Sequence, residues 1–198
     1  MTTTKRKPAE ATGQPTRTDG IGEDQIAHPE PPREAERGFK ILIGVDPGIT
    51  GAIAIISGRD IVVHDMPTAI TGKTRKRSEI LPGQLRIILD SYDPAECVCY
   101  VEQVSAMPGQ GVSSMFGFGT SFGIILGLMA GMRIRTEMVT PQAWKRHHGL
   151  IGTDKDAARA LASRLFPGAS LARKKDTGRA DALLIAAYGT DVMRRAGE

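Results

Sequence analysis

Three carboxylates in this 198-residue chain sit where a carboxylate is costly. Asp46 closes the apolar run KILIGVD and opens the turn Asp46-Pro47-Gly48-Ile49-Thr50-Gly51. Glu102 ends the apolar run that begins at Cys97, and Asp181 lies between Ala180 and Ala182 near the head of an apolar C-terminal segment. An ionised group in apolar surroundings carries a heavy desolvation penalty unless it is paired. Three that converge also repel one another until cations neutralise them. Mg²⁺ prefers oxygen ligands and keeps waters and positions for substrate phosphates. Two such ions activate a water and stabilise the leaving oxygen when a phosphodiester is cut. Each acid also has a plainer reading. Asp46 suits a turn before Pro-Gly, Asp181 suits a helix N-terminus through the dipole, and Glu102 could be salt-bridged. The three together, at the ends of elements, favour a metal site.

The elements that must position them are legible. Lys40–Asp46, Gly51–Ser57 and Asp60–Met66 read as three strands joined by short turns, hence antiparallel neighbours. Thr71–Arg77 reads as a basic loop. A helix is expected from Ser78 to about Ser91, with Leu81, Leu85, Ile88 and Leu89 at helical spacing. Cys97–Gln103 is a fourth strand, Ser113–Gly131 a glycine-rich helix and Arg133–Val139 a fifth strand. Three helices follow: one capped by Thr140 with Pro141 first, one capped by Thr153, and one from about Arg179 to Arg195. The expected fold class is α/β, a five-stranded mixed sheet whose first three strands are antiparallel, flanked by helices. That is the order of the ribonuclease H-like fold.

Residues 1–38 hold five of the twelve prolines and few large apolar side chains, and read as a disordered tail before a single domain over 39–198. The tail carries 6 Lys/Arg and 7 Asp/Glu, the remainder 20 and 15, so the basic excess belongs to the domain and suits nucleic acid. Between Thr140 and Asp181 there are nine Lys/Arg against four Asp/Glu. Lys145, Lys155, Arg173, Lys174, Lys175 and Arg179 are candidates to hold DNA phosphates. Lys73, Arg75, Lys76 and Arg77 form a second candidate patch. His147 and His148 point apart on a helix, so a shared metal is not expected; surface or DNA-facing positions are. Trp144 reads as a packing anchor. Cys97 and Cys99 share one face of a strand and read as buried thiols of a reducing cytoplasm. No apolar signal core opens the chain. Ser113–Met132 is long enough to span a bilayer, but Thr120, Ser121, its glycines and its place between two strands point to a buried core helix and no membrane.

The ordered set of motifs resembles the RuvC-type Holliday junction resolvases, in a form closer to phage-like members. GVDPGITG is similar to the family's first-strand motif, VEQV to its second acidic motif and RADALLIAAYG to its C-terminal acidic helix. MPGQGVSSMFGFGTSFGIILGLMAG is similar to the central helix, and TPQAWKRHHG followed by Lys155 to the basic region. The resemblance covers about Lys40 to Tyr188. It implies a Mg²⁺-dependent endodeoxyribonuclease (Mn²⁺ substituting, two ions per site) that acts as a homodimer on four-way junction DNA. Asp46, Glu102 and Asp181 would be its metal ligands and Lys145 and Lys155 its basic positions. The family often has an aromatic residue directly after Glu-Gln-Val; here it is Ser105, and Met107 or Phe116 would have to substitute. The family also carries a further acid or histidine shortly before the last aspartate. Here the position three residues earlier is Gly178, and Asp176 is the nearest acid, expected to turn inward as a fourth ligand; pairing with Lys174 or Lys175, or capping the helix, is the alternative. Gly119, Gly123, Gly127 and Gly131 recur every four residues, and the dimer is expected near this stripe, its alternative being packing on the chain's own sheet. A cytoplasmic enzyme, bacterial or phage-encoded, is expected. Competing readings are a catalytically silent branched-DNA-binding protein and a related nuclease acting on flap DNA or RNA. An actin-like phosphotransferase would need a second lobe for which the chain is too short.

Overall fold

Strand register decides which side chains meet. A computed structural model describes residues 39–72, 77–103, 105, 109 and 111–197. The tail expected over 1–38, the loop cations Lys73, Arg75 and Lys76, and Met107 lie outside the described residues. Strands β1 (Ile41–Asp46), β2 (Ala52–Ser57) and β3 (Asp60–Asp65) are antiparallel neighbours. β6 (Cys97–Glu102) runs parallel to β1, and β7 (Arg135–Val139) parallel to β6. The sheet order is β3-β2-β1-β6-β7, the mixed five-stranded sheet that the sequence predicts.

Alternation along the strands divides the core in two. Leu42, Ala52, Ala54, Val98 and Tyr100 pack with α5 (Thr177–Ala196). Ile43, Val45, Ile53, Cys99 and Val101 pack with α1 (Pro82–Leu89) and α2 (Val112–Gly131) on the other side. Cys97 and Cys99 are both buried there as free thiols, and burial raises the pKa of each. α5 lies unusually close to β1. A Cβ built on Gly44 would stand 2.1 Å from the Ala182 carbonyl oxygen, so only glycine allows that approach.

Several boundaries differ from the sequence reading. The basic loop is flanked by a hairpin, β4 (Thr68–Thr71) with β5 (Arg77–Ile80), in a second, two-stranded sheet. The helix expected from Ser78 begins at Pro82. Proline holds its predecessor out of the helical region, and Leu81 is extended at φ −95°, ψ 93°. α3 (Pro141–His147) starts as expected, with Thr140 accepting from the Ala143 N–H. α4 (Lys155–Leu165) is capped by Asp154 rather than Thr153; the Asp154 carboxylate accepts from the N–H groups of Asp156 and Ala157.

α2 is not the buried core helix that its composition suggests. It is long and apolar enough to cross a membrane, yet only 17% of its most apolar stretch is buried. Ser121, Ile125 and Met129 face the core, joined by half-buried Phe122, Leu126 and Leu128. A Cβ on Gly119, Gly123, Gly127 or Gly131 would meet nothing within 4 Å. The glycine stripe therefore does not pack against the chain's own sheet.

Candidate metal centre

β1 and β6 pair with Val45 opposite Val101, so one further step along both strands sets Asp46 beside Glu102. Both residues stand at the carboxyl ends of parallel strands, where open α/β sheets hold their ligands. Asp181 reaches them from α5, because Gly178 seats the head of that helix on the β1–β2 turn. A Cβ on Gly178 would lie 2.6 Å from the Thr50 carbonyl oxygen and 3.1 Å from Asp46 Oδ2. No side chain fits there, and the glycine answers to close contact rather than to flexibility.

The electrostatics bind the three acids into one neighbourhood. Burial pushes Asp46 up to about 6, against the Gly48 N–H that donates to its Oδ1 at 3.2 Å; the Glu102 charge pushes it further and Lys145 opposes. Burial pushes Asp181 up to about 7, helped by Asp46 and Glu102 and again opposed by Lys145. Lys145 is half-buried, its Nζ 5.2 Å from the centre of the Trp144 ring. Trp144 is fully buried, the packing anchor expected, and its indole N–H donates to Glu102 Oε1 at 2.9 Å. The sequence reading missed that second role. The clue was available: a buried indole N–H needs an acceptor, and α3 begins next to Val139, the register partner of Glu102.

The donor set is all oxygen, and burial together with neighbouring carboxylate charge raises the pKa of two of its members, Asp46 and Asp181. A hard divalent cation suits that set. Among the described residues no three Asp, Glu, His or Cys stand close enough to hold one ion as they are. The acids share an electrostatic neighbourhood rather than a formed coordination sphere.

Asp176 is not brought to this group. It is 1% exposed and its carboxylate faces Arg173. Its carboxylate accepts from the Arg173 backbone N–H at 2.7 Å and from Arg173 Nε at 2.8 Å, with Arg179 Nε 3.9 Å away. The Arg173 guanidinium holds its pKa below the usual carboxylate value. It occupies the position before α5 without a side-chain capping bond, and its partners are Arg173 and Arg179 rather than Lys174 or Lys175. Nothing in this geometry supports a metal role for Asp176. Asp176→Asn is expected to cost about 1–2 kcal/mol of stability through weakened charge-assisted hydrogen bonds and to leave the Mg²⁺ requirement for cleavage unchanged. Thermal melts and a Mg²⁺ titration of activity check this; a shifted Mg²⁺ requirement at unchanged stability would return Asp176 to the metal site.

The basic candidates divide. Lys174 and Lys175 are exposed in the turn before α5, and Arg77 is exposed on β5. The side chain of Lys155 lies outside what is described. Arg179 is turned inward, 18% exposed and paired with Asp65, so it is not a free phosphate anchor. Arg173 is 45% exposed and pairs with Asp65 and Asp176. His147 and His148 are both half-buried. His147 Nε2 lies 2.9 Å from Asp191 Oδ2, and His148 Nε2 lies 2.8 Å from the Leu184 carbonyl oxygen, so both contact α5. Phe116 is 71% exposed. It lines a groove of about 750 Å³ with Gly48, Thr50 and Arg77, beside the loop that follows Asp46.

No family model matches the chain. It is 41% identical over 110 residues, 54% of its length, to the chloroplastic Holliday junction resolvase MOC1 of Chlamydomonas reinhardtii. The match spans 12% of that relative. The relative's chloroplast label gives no support to the bacterial or phage origin expected from the sequence. Among solved structures, RuvC of Thermus thermophilus superposes with a TM-score of 0.50 at 16% identity, covering 79% of this chain and 97% of that one. T. thermophilus RuvC in complex with a Holliday junction substrate gives 0.55 at 13% identity, covering 79% and 96%. The chain has the ribonuclease H-like fold of RuvC, and over about half of its length its sequence resembles that of a Holliday junction resolvase.

Proposed function

We propose that the chain is a Mg²⁺-dependent endodeoxyribonuclease that cuts branched DNA, with four-way junctions as its substrate, and that it works as a homodimer. The observation that carries this reading is the trio: Asp46 raised by burial and the Glu102 charge, Asp181 raised by burial and by the charges of Asp46 and Glu102, with Lys145 beside them. The relative named as a Holliday junction resolvase and the RuvC complex with a junction point to the substrate. Divalent cations bound there would supply a hydroxide-like nucleophile and neutralise the leaving oxygen. Asp46, Glu102 and Asp181 would hold them. Trp144 keeps Glu102 oriented, an outer partner of the kind that fixes a ligand's direction. Lys145 offsets the carboxylate charge and approaches the phosphate. Lys174 and Lys175, both exposed, would hold the DNA backbone and make affinity salt-dependent. Phe116, at the groove beside Gly48 and Thr50, is the exposed aromatic that could meet unstacked bases in place of the family's residue at Ser105.

The test is to incubate the protein and Mg²⁺ with end-labelled four-way, flap and linear DNA and map the cuts. The proposal expects paired nicks near the junction centre and little on linear duplex. Preferred cutting of flaps or RNA would move the substrate class; no cutting of any DNA with Mg²⁺ or Mn²⁺ would overturn the reading.

The dimer reading rests on α2. Its glycine stripe is open, and Val112 and Phe116 on the same helix are 80% and 71% exposed. An apolar surface of this kind marks an interaction site, and glycine lets a second backbone approach closely. Sedimentation is expected to show a dimer at micromolar protein, and Gly123→Leu with Gly127→Leu to shift it to monomer. A wild-type protein that stays monomeric with and without junction DNA would contradict this.

A further inference from the structure

The ion-pair cluster beside the trio does something the trio needs. Asp65 closes β3 opposite Ala52, and Ala52 lies opposite Asp46. The three therefore form one row across the sheet, on the face that α5 covers. Arg179 of α5 reaches the Asp65 end of this row: its Nε donates to Asp65 Oδ1 and its Nη1 lies 3.4 Å from the Ser170 carbonyl oxygen. Arg173 Nη2 adds a 3.4 Å contact to Asp65 Oδ2.

Helix geometry gives this contact its consequence. Successive residues of a helix are about 100° apart. Gly178 and Ala182 are buried and face the sheet. Arg179 then projects about 100° to one flank, toward β3, and Asp181 about 60° to the other flank, toward Asp46 and Glu102. The head of the helix rests on the sheet through a glycine and an alanine. Leu183, Leu184 and Ile185, all fully buried, hold the helix one turn further on, so its head, which carries Asp181, is the part with no large side chain between it and the strands. The flank pair ties that head to β3.

We infer that Asp65 is a positioning residue: its pairing with Arg179 fixes the head of α5 and thereby places the Asp181 carboxylate for the cation. The inference rests on the metal-centre reading of Asp46, Glu102 and Asp181. Asp65 is 55% exposed, so its replacement leaves the core intact.

The experiment measures Mg²⁺ binding by calorimetry, together with Mg²⁺-dependent junction cleavage, for wild type, Asp65→Asn, Arg179→Gln and the double variant. Each single variant is expected to weaken Mg²⁺ binding about tenfold and to raise the Mg²⁺ needed for half-maximal cleavage by the same factor. Junction affinity in Ca²⁺ should be unchanged, and cleavage should recover at high Mg²⁺. The double variant should be little worse than the poorer single, because both break the shared Asp65–Arg179 pair. Asp65→Glu should restore most of the affinity. If Asp65 instead contacted the cation itself, Asp65→Asn alone would weaken binding and Arg179→Gln would not, which overturns the inference. Wild-type Mg²⁺ binding in both single variants overturns it as well. A wild-type protein that neither binds Mg²⁺ nor cuts junctions overturns the metal-centre reading itself, a result distinguishable from the other two.

Discussion

Asp46→Asn is expected to abolish junction cleavage while making the metal-free protein more stable. The two effects share one cause. Burial and the Glu102 charge push Asp46 up to about 6. At pH 8 it is ionised in the folded and unfolded states alike, so the folded state bears the desolvation and repulsion. A shift of about two units corresponds to about 3 kcal/mol, and asparagine removes the charge while its oxygen still accepts the Gly48 N–H. The melting temperature of the metal-free variant at pH 8 should rise by about 5 °C or more. Cleavage should fall at least about 100-fold, beyond the cost of removing an outer partner of a ligand. Junction binding should persist. A variant that cuts like wild type defeats the metal reading, and one that melts lower at pH 8 without metal defeats the electrostatic account of the site.

The second expected result is a pH-dependent response to Mg²⁺. Asp46 and Asp181 have folded-state pKa values of about 6 and about 7, above the ordinary 3.8. Between about pH 4 and pH 7 the folded chain therefore holds protons that the unfolded chain has released. Stability of the metal-free protein falls as pH rises through that window and levels off above it. Asp65 and Asp176, whose pKa values are lowered by Arg179 and Arg173 respectively, act oppositely; their contribution is present above about 4 and lost in acid. A cation must displace the protons on Asp46 and Asp181. The rise in melting temperature on adding Mg²⁺ should be small at pH 5 and several-fold larger at pH 8. Cleavage at limiting Mg²⁺ should climb toward a plateau above pH 7, and more Mg²⁺ should move the midpoint to lower pH. An equal Mg²⁺ response at pH 5 and pH 8 would show that the cation does not bind these two acids.

The parts of the fold written in period and turn chemistry were legible. Alternation in KILIGVD and GAIAIIS, the short turns between the first strands, and Thr140-Pro141 at the head of α3 gave strands, order and cap. The three acids were legible because each is a charge in an apolar run. What the sequence hid was partnership across space. Asp176 stands five residues before Asp181, and only the structure shows its carboxylate facing Arg173 instead of the trio. Arg179 read as one of several cations, yet its guanidinium lies against Asp65, 114 residues away in sequence. α2 misled because high hydropathy was equated with burial. Its open stripe of Gly119, Gly123, Gly127 and Gly131 is apolar without being covered.

The central claim is that Asp46, Glu102 and Asp181 together bind a divalent cation. Anomalous scattering from crystals grown with Mn²⁺ tests it most directly. The account predicts Mn²⁺ peaks within coordination distance of the carboxylates of Asp46, Glu102 and Asp181, lost in Asp181→Asn and with Asp176 still bound to Arg173. Mn²⁺ seated at Asp176 and Asp65 instead, or none at the trio at saturating concentration, would contradict it.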